Sequence, residues 1–477
     1  METSLITTGG INGTMRRCTK FLLGVATGAA LLGHASPVFA QSQAQSLESA
    51  IEQTSFSGMV GAIDFNYLND AHTRYDTHSF AVGGDLVAHT GAYDGFSAGL
   101  GGYTAQSLGI YDRNPNGDNT ELTGSHHSIQ TFREAYLQYQ DHGVELRFGR
   151  QLLDTPFANE DMYTFNPRAF MGVAGVVDII GPSNDKVDSA PLSLNTSTAT
   201  LSVFAARMFT VDTRYSSSFT QTTNELGYPL GALNGFVAAG ARYQNNILGT
   251  HVSVEGWYYN FYHLAQLVHG LGEFITPITP HNNIFGAAQF SVEGNSGGGE
   301  SALGAVDAHI YGAKLGVSYD DDNIALVGDY SPVAYNSFRH GGFVHPYNNL
   351  SVNEFTDTMQ DGVSDFGPGF GYGATANLSL LNDRLKLSPY YIRYVVRYGY
   401  GGNFYGYNGP YGFPAGADIP NEQLWTAGMN AAYDLSAILP GLSLADAFDA
   451  DVVQNKAGAG LYSNPFISNR LYFEYKF

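Results

Sequence analysis

At 477 residues and a formal net charge of −21, the chain is too acidic to take nucleic acid as a partner. Its 58 Gly, 32 Tyr and 30 Phe, with 14% charged residues and a mean hydropathy of −0.13, exclude both a disordered chain and an oily helical bundle. High aromatic content at ordinary hydropathy suits a membrane β-barrel, where apolar and polar residues alternate, and a large secreted β-sandwich shares that composition.

The amino end carries Arg16, Arg17 and Lys20, then the apolar run from Phe21 to Leu32, then Val38-Phe39-Ala40 before Gln41. This is the pattern of a secretory signal peptide over 15–40, with cleavage expected after Ala40. The apolar run is too short for a spanning helix, which needs roughly 20 residues, and no later stretch serves either. Met15 is a natural start for the signal, so 1–14 read as a non-native or misannotated leader outside the fold. Cys18, the single cysteine, leaves with the signal, so the exported chain must hold together through backbone pairing and packing without disulfides. Loss of Glu2, Arg16, Arg17 and Lys20 leaves 19 basic and 42 acidic side chains.

Residues 41–55 read as a short periplasmic segment, and a single β-barrel domain is expected over 56–477. Strands near 56–67 and 79–88 flank the polar "NDAHTRYDT", and a tight "TGAYDG" leads to a third near 95–104. A long gap follows, then "TFREAYLQYQ" and "GVELRFGRQ", joined only by Asp141 and His142. Later tight joints lie at 319–323, 380–385 and 438–443, and long loops include 332–370 and 399–421. About 18 strands result, with that near 263–269 and the turn near 181–198 weakly marked. Short joints alternating with long ones predict an antiparallel up-and-down transmembrane barrel with short periplasmic turns and long extracellular loops. No fixed short repeat of a solenoid is present.

The final strand, "RLYFEYKF", sets Leu471, Phe473, Tyr475 and Phe477 on one face and Arg470, Tyr472, Glu474 and Lys476 on the other. The first face suits lipid, the second the lumen.

Three stretches resemble the OprD-type outer-membrane porins and the related epsilon-type major outer-membrane proteins: "SLESAIEQTSFSGMVGAIDFNYLND", "GFSAGLGGYTAQSLG" and "REAYLQYQDHGVELRFGRQLLDTPFANEDMYTFNPRAF". In the last, Gly149, Arg150, Gln151, Thr155, Pro156, Asp161, Pro167 and Phe170 stand where family members have two paired strands, a Thr-Pro step and a proline turn. The family often has an arginine just before that turn; here Thr164 occupies the region and Arg168 follows Pro167. The resemblance implies an 18-stranded, substrate-selective diffusion channel. In it an inward-folded loop 3, at about 152–172 with Asp154, Thr155, Pro156, Asp161 and Pro167, narrows the lumen. It also implies a row of basic side chains guiding small, often carboxylate-bearing solutes, among which Arg168 would stand at the constriction.

Strand parity gives an independent reading of that row. In "SPYYIRYVVRYGY", Tyr390, Ile392, Tyr394, Val396 and Tyr398 share one face, and Arg393 and Arg397 the other. An arginine facing lipid near the midplane costs roughly 2–4 kcal/mol, so both arginines are expected inside. The same argument sends Arg147, Arg242, Lys314 and Arg470 inward, with Glu134 and Glu145, whereas Arg207 fits either face.

Other constellations are weaker. "GNSGG" at 294–298 lacks the strand-to-helix context of a nucleophile elbow. His126-His127, His263 and His269 lack a third ligand at metal spacing, and Asp320 to Asp322 read as an acidic turn. No catalytic residues, metal or cofactor are expected. The favoured function is passive diffusion of small polar or anionic organic solutes, carboxylates and amino acids included, across the bacterial outer membrane. The alternatives are a barrel acting mainly as an adhesin or surface scaffold, for which the Gly- and Tyr-rich stretch at 399–421 is suited, and an outer-membrane hydrolase, for which no catalytic constellation can be assembled. The partners expected are membrane lipid, lipopolysaccharide, small polar solutes and the outer-membrane insertion machinery, the last through the C-terminal strand.

Overall fold

A computed structural model describes residues 44–68, 76–110, 121–124, 128–161, 163–181, 191–194, 198–220, 235–296, 305–336, 343–344, 346–347, 354–359, 362–366, 368–398, 419–454 and 465–477. The signal region, His126-His127, Gly297-Gly298 and most of 399–421 lie outside the described residues.

A short helix, α1 (Leu47–Glu52), precedes the sheet and is capped by Ser46, whose hydroxyl accepts from Ser49 N at 3.1 Å. Then come β1 (Ser55–Leu68), β2 (Thr77–His89), β3 (Phe96–Gln106), β4 (Ser128–Asp141), β5 (Val144–Gln151) and β6 (Ala169–Ile180). The middle third holds β7 (Leu201–Asp212), β8 (Phe236–Ile247), β9 (Thr250–Phe261), β10 (Ala265–Pro277), β11 (Asn282–Asn295) and β12 (Val306–Tyr319). The last third holds β13 (Asp322–Asn336), a four-residue helix α2 (Val363–Phe366), β14 (Gly369–Leu380), β15 (Leu385–Tyr398), β16 (Ile419–Asp434), β17 (Leu442–Gln454) and β18 (Phe466–Lys476).

These strands form one 18-stranded antiparallel sheet, and β18 pairs with β1 to close it into a barrel. Closure leaves no unpaired edge, the condition for a sheet in lipid. Tight hairpins join strands at the end that holds both α1 and the carboxyl terminus. His142 and Gly143 (φ 46° and 78°) join β4 to β5, and Leu248 and Gly249 (φ 52° and 84°) join β8 to β9. Two successive positive φ values are the geometry of a type I′ turn, whose twist matches the flanking strands.

Connections at the opposite end are numbered from loop 1, after β1; loop 3 is 152–168 and loop 7 is 337–368. The expected alternation of short and long joints breaks twice. At the turn end β6 and β7 are linked through 181–200, because Leu192 and Leu194 are drawn into the core beneath loop 3. At the loop end β9 and β10 are linked through 262–264 alone, with His263 at φ 60°. The strand expected near 263–269 is β10, which begins at Ala265 and runs on to Pro277.

Cross-strand partners share a face, so the register carries the inward side around the barrel. Ile63 lies opposite Tyr472, Tyr472 opposite Ala445, Ala445 opposite Ala432 and Ala432 opposite Lys386. Residues on this side are mostly buried by the packed lumen. The other side carries Phe56, Val60, Leu86, Leu100, Leu137, Leu315, Leu326, Leu471 and Phe473, all exposed. Large apolar side chains exposed around a whole sheet suit lipid, not water. Leu471 and Phe473 face out while Arg470, Tyr472 and Glu474 face in, the division expected of the last strand.

Phe477 completes the seam: its N–H donates to Gly58 O at 3.0 Å, and Gly58 N–H donates to Phe477 O at 3.1 Å. Its ring stacks on Tyr475 with centroids 6.0 Å apart. Deleting Phe477 removes both bonds, each worth about 1 kcal/mol net, as well as an outward aromatic. The heat-modifiable folded band on a gel is therefore expected to weaken in cells. An unchanged folded yield would contradict this role.

Candidate functional site: the lumen at loops 3 and 7

β5 ends early, and the chain then turns inward. Leu153 bridges to Leu192, and Asp154 N–H donates to Leu192 O at 3.1 Å. Asp154-Thr155 pairs with Ala158-Asn159 around Pro156, closed by the Thr155 hydroxyl donating to Ala158 O at 2.7 Å. From the tip of this miniature hairpin onward the loop spans the lumen. Phe157 meets Tyr259 of β9 and His269 of β10 edge-on at 5.6 and 5.4 Å, while Tyr163 stacks on Phe65 of β1 at 6.1 Å. Asp161, at φ 48°, makes the bend between those two contacts.

Arg168, after Pro167, is fully buried and clamps the loop. Its Nη1 donates to Asn159 O and to Tyr347 O, both at 2.8 Å, and its Nη2 lies 3.4 Å from Asp161 Oδ2. Tyr347 belongs to loop 7, so the same guanidinium ties two loops together. Asn159 N–H adds a bond to Tyr347 O at 3.1 Å.

Two further arginines converge on the bend. Arg214, from the loop after β7, lies 3.2 Å from Asp161 and 4.1 Å from the centroid of the Tyr163 ring. Arg470, on β18, lies 4.6 Å from the same centroid and 3.5 Å from Glu121 of loop 2. The Tyr163 hydroxyl donates to Glu121 at 2.6 Å. Burial pushes the Glu121 carboxyl up, but Arg470 and the Tyr163 and Tyr67 hydroxyls outweigh it and hold the carboxyl below its ordinary value. Three guanidiniums, two carboxylates and the phenols of Tyr163 and Tyr67 thus meet where loop 3 crosses the barrel.

Loop 7 is the second inward loop, and nothing in its sequence marked it as one. Glu293 on the β11 wall accepts from Val344 N–H at 2.8 Å, and Asp329 on β13 accepts from Thr356 N–H at 2.7 Å. Glu354 accepts from Val363 and Ser364 N–H, both at 2.6 Å, at the start of α2. These three carboxylates hold loop backbone inside the barrel.

The other expected lumen residues divide. Arg147 is inward and buried, with its guanidinium 2.9 Å from Glu145 and its Nε donating to Gln138 at 3.0 Å. Glu134 is inward and accepts from the Tyr103 hydroxyl at 2.6 Å. Arg242 is inward, opposite Glu255, and the Lys314 ammonium stands 5.9 Å from the ring centroids of Phe285 and Phe355.

Arg393 and Arg397 are corrected: both stand on the outward face of β15. The register puts even-numbered residues of that strand inside, and Ile392, Tyr394 and Val396 are buried there against Phe355 and Val363 of loop 7. That apolar row faces a protein core and not lipid. The arginines avoid the midplane penalty because they lie toward the loop end, where Arg393 sits between Tyr372 and Trp425 on the neighbouring strands. Arg207 is also outward, with the Phe209 and Tyr262 ring centroids each 4.7 Å from its guanidinium carbon. Arg214, Glu121 and Tyr163 were not anticipated, since their roles depend on loops whose meeting point has no local signature. Arg133 was missed because a register shift between β3 and β4 turns it inward, where it donates to the Asp212, Thr213 and Ser216 carbonyls.

No protein-family model and no curated relative matches the chain. Solved structures do. OpdK from Pseudomonas aeruginosa, crystallised with vanillate, is 15% identical with a TM-score of 0.66, covering 90% of this chain and 99% of its own. A BenF-like porin from Pseudomonas fluorescens Pf-5 is 14% identical at 0.69 with the same coverage. OccK2 (OpdF) from Pseudomonas aeruginosa, in complex with glucuronate, is 13% identical at 0.66, again with 90% and 99% covered. This chain has the fold of these porins.

Replacing Arg168 by Ala takes a donor from the Asn159 and Tyr347 carbonyls and from the Asp161 carboxylate, while Asn159 N–H still reaches Tyr347 O and Arg214 still reaches Asp161, a loss of about 1–3 kcal/mol. Limited proteolysis is expected to cut loops 3 and 7 faster, with noisier single-channel current. An unchanged digestion pattern and quiet current would show that the clamp is not what holds the loops.

Proposed function

We propose that the chain is an outer-membrane porin of the OprD type, which lets small polar or anionic organic solutes, carboxylates and amino acids among them, diffuse selectively through its lumen. The observation that carries this reading is the convergence of Arg168, Arg214 and Arg470 on Asp161 and Tyr163, where loop 3 crosses the barrel. Fixed guanidinium groups in a narrow lumen with low-dielectric walls raise the local concentration of anions, and their fork geometry suits a carboxylate. The neighbouring acids keep the site from becoming a permanent anion trap, because a solute must compete with Asp161 and Glu121 for each guanidinium. Vanillate and glucuronate, named with two porins of this fold, both carry a carboxylate.

Export through the signal at 15–40, residence in the outer membrane beside lipopolysaccharide, and assembly through the Phe477 end belong to the same reading. A scaffold or adhesin barrel is the rival, and its mark would be a closed channel. Among the described residues, nothing in the lumen favours a hydrolase.

Planar-bilayer recording of the purified protein tests the proposal. Arg214→Gln and Arg470→Gln are each expected to lower organic-acid permeation several-fold and to shift the reversal potential toward cations, with the barrel still heat-modifiable. Salt is expected to mask the shift, as the Debye length falls from about 10 Å at 0.1 M to about 3 Å at 1 M. Absence of conductance would favour the scaffold, and wild-type selectivity in both variants would remove the arginines from permeation.

A further inference from the structure

The arginines at the loop 3 bend already hold an occupant, and it is the loop itself. Tyr163 N–H donates to Asp161 O at 3.1 Å, closing a tight turn that brings the carboxylate of one residue and the phenol of the other among the guanidiniums. Asp161 meets Arg168 and Arg214, while Arg214 and Arg470 lie over the Tyr163 ring at 4.1 and 4.6 Å from its centroid. Arg214 therefore engages both side chains of the turn.

The carboxylate is held less well than its partners allow. Its ion pairs to Arg168 and Arg214, at 3.4 and 3.2 Å, fall on the same oxygen, Asp161 Oδ2. A carboxylate free to orient meets a guanidinium through two oxygens at about 2.7–2.9 Å. The tether explains the shortfall, since Asp161 reaches the arginines on a short side chain from a backbone at φ 48°, in the left-handed region. Anchors beyond the turn do not depend on that carboxylate. Arg168 holds the Asn159 and Tyr347 carbonyls, both at 2.8 Å, and Arg470 reaches Glu121 at 3.5 Å and the Tyr67 hydroxyl at 3.1 Å. The turn can thus part from the guanidiniums without unfastening loop 3 from loop 7.

We propose that Asp161 and Tyr163 form a built-in competitor for the arginine site. The turn keeps Arg168 and Arg214 engaged in the resting channel, and a carboxylate solute binds by taking the place of Asp161 and moving the turn aside. Such a competitor raises the solute concentration needed to fill the site, and its return helps to expel the solute. It acts at the site of the proposed function and presupposes that carboxylates bind there.

The test uses the purified protein in detergent, with benzoate as the carboxylate probe, neutral benzamide as its control and calorimetry as the readout. Asp161→Asn keeps a residue type that tolerates the left-handed backbone and removes the competing charge. It is expected to tighten benzoate binding several-fold and to leave benzamide unchanged. Tyr163→Phe keeps the ring but loses the bond to Glu121, and is expected to tighten benzoate binding to a smaller extent. It carries the binding test if the heat-modifiable band shows that the asparagine variant does not fold. Loss of a negative charge favours any anion, so a second measurement follows the turn itself. Thr164, buried next to Tyr163, is replaced by cysteine in a Cys18→Ser background, and its labelling by N-ethylmaleimide is timed. Saturating benzoate is expected to speed labelling several-fold, and benzamide is not. Labelling that benzoate slows or leaves unchanged would overturn the proposal, because the solute would then bind with Asp161 in place. Benzoate binding no tighter in either variant than in the wild type would overturn it too, with the carboxylate site left standing. Failure of the wild type and both variants to bind benzoate at all would instead remove the carboxylate site, and the competitor with it.

Discussion

Closure of the sheet is the constraint on which everything else depends. Once β18 pairs with β1, every strand has a neighbour on both sides, and one register decides which solvent each side chain meets. A slip of one residue anywhere would turn an apolar row inward and a charged row toward lipid. The outward phenylalanines and leucines and the inward arginines and carboxylates are therefore two readings of one hydrogen-bond ladder.

The closed wall also explains how so many ionisable groups can be buried. Charges removed from water are tolerated only when paired and hydrogen-bonded. Arg147 with Glu145, Arg168 with Asp161, and Arg470 with Glu121 meet that requirement within the lumen. Loop backbone satisfies others: Glu293 and Asp329 accept amide protons from loop 7. The lumen is thus packed from both sides, by loop 3 leaving β5 and by loop 7 leaving β13, and Arg168 is the point at which the two are tied.

What the sequence revealed follows from how local each signal is. The alternation in "RLYFEYKF" and the tight joint between β4 and β5 depend on adjacent residues, and both appear in the structure, the joint at His142-Gly143, one residue beyond the Asp141-His142 expected. The Thr-Pro step of loop 3 was legible through its resemblance to a family pattern, yet the partners of Arg168 were not, because Tyr347 is far along the chain. The β15 reading failed for a physical reason. Ile392, Tyr394 and Val396 have the hydropathy of lipid-facing residues, but an inward loop offers them an equally apolar environment. Alternation identifies two faces, and only the register around the closed barrel says which is inside. The long turn at 181–200 misled for a related reason, since its Leu192 and Leu194 serve the core under loop 3 instead of simply reversing the chain.

The inside-outside assignment is best tested by spin labelling single cysteines along β15 and β18, which is practicable because Cys18 is the chain's only cysteine. Collision rates with oxygen, which concentrates in lipid, would be measured at each position in reconstituted vesicles. The structure predicts high oxygen collision at Tyr391, Arg393, Val395, Leu471 and Phe473, and low collision at Ile392, Tyr394, Arg470 and Tyr472. If instead the even-numbered positions of β15 showed the lipid signature while β18 kept the parity described, the register between these strands would be wrong, and with it the placement of the lumen.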